Sequence, residues 1–276
     1  MSNQSWQTWL RSALLAAAAL CLAGGSALAQ RERAERGMTC DDNWSGDRAS
    51  HCVIKEQILQ AAGGTISVDG RKNGGVSVKG WDRGEILVRA KIQAYAKTEA
   101  EAQELAGRIQ VETAGAQIRS EGPPSEDHQN WGVSFEVFVP FNSDLALKAR
   151  NGGISVSDVR GRIEFDGQNG GVALKRVGGS VRGQTVNGGL SIELAGDRWD
   201  GEGLDVKTMN GGVSLSLPDN YSARLETSTV NGSVKVDFPV TVQGRIEKNL
   251  SLDLGSGGAM VRAVTTNGGV SIKRRG

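Results

Sequence analysis

Hydrophobic and polar residues alternate along most of this chain within one recurring phrase, Asn-Gly-Gly-hydrophobic-polar-hydrophobic. The residues three and five places after each asparagine are all aliphatic, and Ser fills the position between them in most copies. This in-out-in order predicts a half-buried β-strand after each asparagine. The phrase begins at Asn73, Asn151, Asn169, Asn187, Asn210, Asn231 (where Ser233 replaces the second glycine) and Asn267.

A second aliphatic column lies six residues before each asparagine from Asn151 onward and predicts another strand. Asn and Gly both accept a positive φ, so the Asn-Gly pair predicts a tight corner between the two strands. Such a pair usually forms the turn of a β-hairpin. The identical phrase at intervals of 18, 18, 23, 21 and 36 residues instead favours stacked coils. The midpoint of the last interval, Asn249, predicts a degenerate copy.

The pattern therefore predicts an all-β fold, a single-stranded parallel β-helix (β-solenoid) of about 18-residue coils. Each strand is expected to pair in parallel with its copy in the next coil, about 4.8 Å away. Thr98 with Glu101 forms a capping box and predicts one short helix over about 98–107, in the N-terminal half. We expect one β-solenoid domain over 60–276, with its regular coils over about 133–276.

The first 29 residues have the pattern of a secretory signal peptide. Arg11 precedes an apolar run over 13–23, and Ala27-Leu28-Ala29 resembles a cleavage site. The apolar run is too short to span a bilayer. The pattern predicts an exported protein, periplasmic or extracellular at the cell envelope, with no transmembrane segment after cleavage.

Two cysteines, Cys40 and Cys52, remain in the segment 30–59, which we expect to cap the N-terminal end of the solenoid. An even pair in an exported chain is most simply a disulfide. A metal site that includes His51 is the alternative. Two Cys and one His are too few for structural zinc unless a carboxylate joins them.

Charge argues against nucleic acid as a partner. The whole chain has 32 basic and 31 acidic residues, and loss of Arg11 with the signal peptide leaves 31 of each. A neutral chain has no net electrostatic attraction for nucleic acid or for an anionic membrane.

No sequence motif for a nucleophile, a phosphate loop or a metalloprotease site is present, so we expect no catalytic residues, cofactor or metal. Two surfaces are candidate sites. One is the insertion at 197–203, where Trp199, Asp200 and Glu202 combine a ring with carboxylates. This combination would suit a carbohydrate-active β-helix enzyme, which is the alternative function. The other is the outward serine column, which could receive a partner's edge or a glycan, although Ser is also simply tolerated beside a tight turn.

The repeated phrase resembles that of the bacterial putative adhesin family over roughly 60–276. The similarity extends to Val137-Phe138-Val139-Pro140, to Asp144-Leu145-Ala146-Leu147 and to Gly80-Trp81-Asp82-Arg83. The resemblance implies a non-enzymatic, exported β-solenoid that acts as an interaction or structural, adhesin-like module. The sequence does not identify the partner, and an envelope protein and a glycan are the two candidates. The family offers no motif of binding residues, so none is assigned from it.

Overall fold

The computed structural model describes residues 38–41, 48–61, 63–126, 128–239 and 248–275. The chain divides into Met1–Thr39 and a compact unit, Cys40–Gly276, and only Met38 and Thr39 of the first part are described. The predicted signal peptide lies outside the described residues. Within the described ranges, no helix is both long enough and apolar enough to cross a membrane.

The predicted all-β class is confirmed: the described residues form two large, mostly parallel sheets and one α-helix, α1 (Glu99–Gly107). The strands in chain order are β1 (Ala49–Gln60), β2 (Thr65–Asp69), β3 (Val76–Trp81), β4 (Glu85–Ala96), β5 (Gln110–Glu112), β6 (Gln117–Glu121), β7 (Asn130–Pro140), β8 (Asp144–Asn151), β9 (Ile154–Ser157), β10 (Arg160–Asn169), β11 (Val172–Lys175), β12 (Gly178–Asn187), β13 (Leu190–Glu193), β14 (Gly203–Asn210), β15 (Val213–Pro218), β16 (Ala223–Asn231), β17 (Val234–Val236), β18 (Asn249–Leu254), β19 (Met260–Asn267) and β20 (Val270–Arg275). A short 3-10 turn, Ala114–Ala116, precedes β6.

The strands are distributed between sheet A and sheet B. Sheet A has the order β1-β4-β7-β3-β9-β11-β13-β15-β20-β17. Sheet B has the order β18-β16-β19-β14-β12-β10-β8-β2-β6-β5. Each coil contributes one strand to each sheet, as β10 and β11 do, and both of these strands pair in parallel with their counterparts in the neighbouring coils.

The aliphatic columns read from the sequence form one core between the sheets. Ile163 of β10 pairs in register with Leu145 and Val181, and all three side chains are buried. On β11, Val172 pairs with Ile154 and Leu190 in the same way. Because the side chains of a strand alternate between its faces, the residues between these positions point to solvent.

Glycine is needed at the Asn-Gly corners because stacked coils approach closely, and the positive-φ explanation is wrong. None of the seven phrase asparagines, or the glycine after each, has a positive φ. A Cβ added to Gly188 would instead lie 2.1 Å from the carbonyl oxygen of Gly170 in the adjacent coil. Positive φ occurs at the opposite corner, where Asp158 (59°) and Arg176 (51°) stack on one another.

The prediction that every coil follows the previous one in space is wrong near the C-terminus. β20 pairs with β15 on one side and with β17 on the other, and β19 likewise separates β14 from β16. The last coil of the chain is therefore inserted between two coils that are consecutive in sequence. Asn267 stacks between Asn210 and Asn231, and the rung of Asn231 ends the stack.

The prediction of a degenerate copy at Asn249 is also wrong. The strand that starts there, β18, belongs to sheet B and pairs antiparallel with β16, with Leu252 opposite Leu225. The Asn-Gly-Gly strands all belong to sheet A. β18 therefore covers the far edge of β16 and adds no coil.

The N-terminal half extends sheet A with two antiparallel strands, β4 and β1. The predicted helix is present as α1, and its first turn is capped because the backbone N–H of Glu101 donates to Oγ1 of Thr98 at 3.2 Å. The predicted disulfide is confirmed: Cys40 and Cys52 are bonded to each other, so their sulfurs are not metal ligands. The bond ties the start of the compact unit to β1.

Candidate functional site

The outer face of sheet B carries two rows of mostly charged side chains, which we call the charged face. Its strands are β8, β10, β12, β14, β19 and β16 in spatial order. The side chains point outward because their neighbours in each strand, such as Leu145 and Leu147, are buried in the core. The first row is Ala146, Glu164, Arg182, Asp205, Arg262 and Glu226, and the second is Lys148, Asp166, Gln184, Lys207, Val264 and Ser228.

Charge alternates along the first row from Glu164 to Glu226. The alternation exists only in the folded order, because Arg262 of the inserted coil separates Asp205 from Glu226. Nη1 of Arg262 donates to Oδ1 of Asp205 at 2.7 Å. Opposite charges on neighbouring strands stabilise a sheet, whereas like charges opposite one another destabilise it.

A depression of about 490 Å³ lies in the middle of the charged face. Leu147, Phe165 and Gly183 underlie it, and Ala146 provides a short side chain at one end. The surrounding wall is charged and polar. It consists of Lys148, Glu164, Asp166, Arg182, Gln184, Asp205, Lys207 and Arg262.

Four charged side chains of this wall are uncommitted within the part of the chain that the structure describes. Lys148, Glu164, Arg182 and Lys207 are exposed and form no side-chain hydrogen bond or ion pair with other described residues. Asp166 and Asp205, in contrast, accept hydrogen bonds from Gln184 and Arg262. The depression therefore offers both positive and negative groups to a ligand.

The sequence predicts that Trp199 lies on the surface, but the structure buries it. Its side chain is 5% exposed, and Nε1 donates to the carbonyl oxygen of Gly179 at 3.0 Å. A large apolar ring with one N–H group is suited to such a position, because burial removes its area from water while the backbone carbonyl satisfies the donor. The ring therefore presents no stacking face for a sugar.

The two carboxylates beside Trp199 diverge. Asp200 is exposed and pairs with Nη1 of Arg160 at 3.0 Å. Glu202 is also exposed and lines a smaller depression of about 320 Å³ with Arg162, Glu164 and Arg182. Glu202 thus adjoins the charged face, whereas the expected grouping of Trp199 with both carboxylates is not formed.

Behind the same insertion, Tyr221 is buried beside Asp197. Burial raises the pKa of the Tyr221 hydroxyl above its ordinary value, and the negative charge of Asp197 adds to the rise. Arg198 hydrogen-bonds the Asp197 carboxylate at 3.3 Å and lowers the pKa of that carboxylate. Asp197 therefore remains charged, and Tyr221 remains neutral, over the physiological range.

The outward serine column, the second candidate surface, lies on the outer face of sheet A and consists of Ser77, Ser155, Ser191, Ser214 and Ser271. Ser155 pairs with Ser77, and Ser191 pairs with Ser214, so the outward positions lie in register across the coils. A shallow, open depression of about 590 Å³ runs over Ala173, Ser191 and Ser214 and the glycines beside them. This surface is flat and uncharged at its centre.

The seven asparagines predicted as turn residues also form a continuous side-chain ladder. Nδ2 of Asn187, for example, donates to Oδ1 of Asn169 at 2.8 Å, and the same bond links each neighbouring pair in the stack. At the first rung, Nδ2 of Asn73 donates to Oδ1 of Asn130 at 3.2 Å. The ladder fixes the corners and is therefore structural.

Sequence reasoning missed the charged face as a unit. Its residues come from coils that are distant in sequence, and Arg262 lies 57 residues after its partner Asp205. Aligning the residue five places before each asparagine from Asn151 onward would have revealed the row. Only the folded order reveals its alternation.

One comparison with known proteins identifies the family. A family model described as Toastrack DUF4097 matches residues 54–273. No curated protein matches the sequence. Among solved structures, a putative cell adhesion protein from Clostridium sporogenes ATCC 15579 is 11% identical with a TM-score of 0.42, covering 82% of this chain and 100% of its own. A putative adhesin from Bacteroides fragilis NCTC 9343 is 9% identical with a TM-score of 0.29, covering 82% and 97%. The match to the family model spans well over half of the sequence, and the chain therefore belongs to the Toastrack DUF4097 family.

Proposed function

We propose that this protein is an exported, non-enzymatic interaction module of the cell envelope that binds a partner protein through the charged face of sheet B. The observation that carries the proposal is the depression of about 490 Å³ with four uncommitted charges at its wall. Concave sites with a few convergent polar groups are the usual places of recognition.

The rigidity of the surface favours binding. Each central strand of the charged face is hydrogen-bonded to a neighbour on both sides, so the backbone positions that carry Glu164 and Arg182 are fixed by the sheet. A partner that binds a preorganised surface orders fewer groups, and more of the interaction energy remains as affinity.

The chemistry of the wall favours a protein surface over a glycan. Lys148 and Lys207 offer positive charge, and Glu164 offers negative charge, within one depression. A polypeptide carries both signs and can match them, which fixes register and orientation. Sugar recognition often uses an exposed aromatic ring, and Trp199, the ring expected for it, is buried.

A pair of charge-neutralising variants tests the proposal. Arg182→Gln with Lys207→Gln removes two positive charges from the charged face. Lys175→Gln with Lys273→Gln removes the same charge from the outer face of sheet A, where both lysines are exposed. Far-UV circular dichroism and a urea melt would establish that both variants fold.

Each protein, immobilised after removal of 1–29, would be incubated with a bacterial envelope fraction before and after protease treatment. We expect wild type and the sheet A variant to retain the same protease-sensitive partner, and the sheet B variant to lose it. Raised salt should weaken retention, since exposed charges are screened. Equal retention by both variants would contradict the assignment to sheet B. A partner that survives protease and is removed by glycosidase would identify a glycan instead.

Export is tested separately by fractionation and N-terminal sequencing. The signal-peptide pattern predicts a mature chain that begins at Gln30 in the periplasmic or external fraction. An unprocessed chain in the cytoplasm would contradict it.

A further inference from the structure

We propose that Asn231 is a site of spontaneous deamidation in the native protein, selected from seven Asn-Gly sequences by its place at the end of the asparagine ladder. Deamidation begins when the backbone nitrogen of the following residue attacks the asparagine side chain. Glycine at that next position favours the attack because it has no side chain to obstruct the approach and is conformationally permissive.

The interior rungs hold both reacting groups in hydrogen bonds. At Asn169, Oδ1 accepts from Nδ2 of Asn187 at 2.8 Å, and the backbone N–H of Gly170 donates to the carbonyl oxygen of Asn187 at 2.9 Å. The same two bonds are present at Asn151, Asn187, Asn210 and Asn267. Attack at these rungs requires both bonds to break while the neighbouring coil stays in place.

The rung of Asn231 lacks this protection. Nδ2 of Asn231 donates to Oδ1 of Asn267 at 2.7 Å, which satisfies one side of the amide. Within the described ranges, Oδ1 of Asn231 has no donor and the N–H of Gly232 has no acceptor. Both residues are exposed, so water and base can reach them.

The opposite end of the ladder differs from this end. Asn73 is half-buried, its Oδ1 accepts from Asn151 at 3.2 Å, and its Nδ2 donates to Asn130 at 3.2 Å. Its amide is therefore held on both sides. Of the seven, Asn231 alone combines an unbonded side-chain oxygen with an unbonded glycine N–H in the described structure.

The reaction needs only water. The nitrogen of Gly232 bonds to Cγ of Asn231 and gives its proton to a solvent base, which closes a five-membered succinimide. The bond from Cγ to Nδ2 breaks, and Nδ2 leaves as ammonia. Water then opens the ring at either carbonyl, leaving aspartate or isoaspartate, and no group is oxidised or reduced.

The product changes the end of the stack. Aspartate at 231 places a carboxylate oxygen where the Nδ2 donor to Asn267 had been, and isoaspartate also lengthens the backbone by one carbon. We expect the last rung to loosen while the interior ladder stays intact. The extent of deamidation at Asn231 should therefore increase with the time that the molecule has spent folded.

The test follows all seven asparagines in the full-length folded protein. The protein is kept in mildly alkaline buffer below its unfolding temperature, and Asp and isoAsp are quantified at each site by peptide mass mapping over time. A parallel sample in denaturant measures the intrinsic rates, and Asn231→Gln confirms the assignment of the modified peptide.

We expect Asn231 to be modified several-fold faster than every interior rung in the folded protein, and the seven rates to converge in denaturant. Equal rates at Asn231 and at the interior Asn169 and Asn187 in the folded state would overturn the proposal. So would a rate at Asn231 that rises on unfolding as steeply as theirs.

Discussion

Replacing Gly188 with alanine should destabilise the solenoid much more than the same change at its neighbour Gly189. The Cβ of an alanine at 188 would lie 2.1 Å from the carbonyl oxygen of Gly170, which is backbone and cannot turn aside. At 189 the nearest atom, the carbonyl oxygen of Gly212, would lie 3.1 Å away. Neither glycine has a positive φ, so the comparison isolates the contact between coils from backbone strain.

The expected loss of stability follows from how far the two coils must move apart. To restore an ordinary contact at 188, the two coils must move apart by roughly 1 Å, which is the order of relaxation that costs about 1–3 kcal/mol in an overpacked core. The movement lengthens three hydrogen bonds that join these coils at the corner, including that from Oγ1 of Thr185 to Gly170. Each contributes about 0.5–1.5 kcal/mol. We therefore expect Gly188→Ala to lower the free energy of unfolding by about 2–4 kcal/mol.

At Gly189 two smaller effects oppose one another. The contact is tight but relieved by a shift of a few tenths of an ångström, while loss of glycine restricts the unfolded chain and stabilises by about 0.4–1 kcal/mol. Gly189→Ala should therefore remain within about 1 kcal/mol of wild type. Urea unfolding followed by far-UV circular dichroism, with the slope against urea checked for constancy, gives both values. If Gly188→Ala proved as stable as wild type, or less damaging than Gly189→Ala, close stacking would not explain the glycines.

Three further predictions concern other contacts of the fold. Thr208→Val removes the bond from Oγ1 to a stacked glycine carbonyl at 2.6 Å and should cost about 0.5–1.5 kcal/mol in a urea melt; no change would mean that this bond adds nothing. Replacing Cys40 and Cys52 with Ser opens a loop with a sequence separation of 12 and should cost about 2–3 kcal/mol by the same assay; an unchanged midpoint would contradict it. Because burial raises the pKa of Tyr221, its contribution to stability is present below pH of about 10 and lost as the pH rises through the folded pKa. Tyr221→Phe should therefore flatten the loss of stability above that pH, and parallel curves for the two proteins would refute the assignment.

Strand identity was predictable from sequence because a strand's side-chain period is local. Val172, Leu174 and the half-buried Ala173 between them reveal their faces without knowledge of any distant residue. The helix could be predicted for a similar reason, since Thr98 and Glu101 lie within a single turn of each other. These features need no information about how the chain returns to itself.

The candidate site was harder to predict from sequence, because it depends on contacts between residues of different coils that the spacing of residues does not reveal. Trp199 was assigned to the surface from its acidic neighbours, but the carbonyl of Gly179 that accepts its N–H lies in an earlier coil. The glycines of the repeated phrase were explained by a turn rule, whereas the neighbouring coil imposes them. In both cases the deciding atom belongs to another coil.

The order of the last coils is nevertheless encoded in individual residues. Were the coils in chain order, Asp205 would face Glu226 directly, and like charges on neighbouring strands destabilise a sheet; the inserted coil places Arg262 between them. Ser233 is compatible with the same order. The second glycine of each interior phrase, such as Gly212, points its missing side chain toward the next coil, and a Cβ there would lie 3.2 Å from the carbonyl oxygen of Gly269. Ser233 lies in the last coil of the stack, so its side chain points away from the other coils. It contacts no further Asn-Gly-Gly coil among the described strands. The arginine that separates two acids thus selects this arrangement, and Ser233 at the end of the stack is compatible with it. A periodic pattern shared by all coils cannot specify that order.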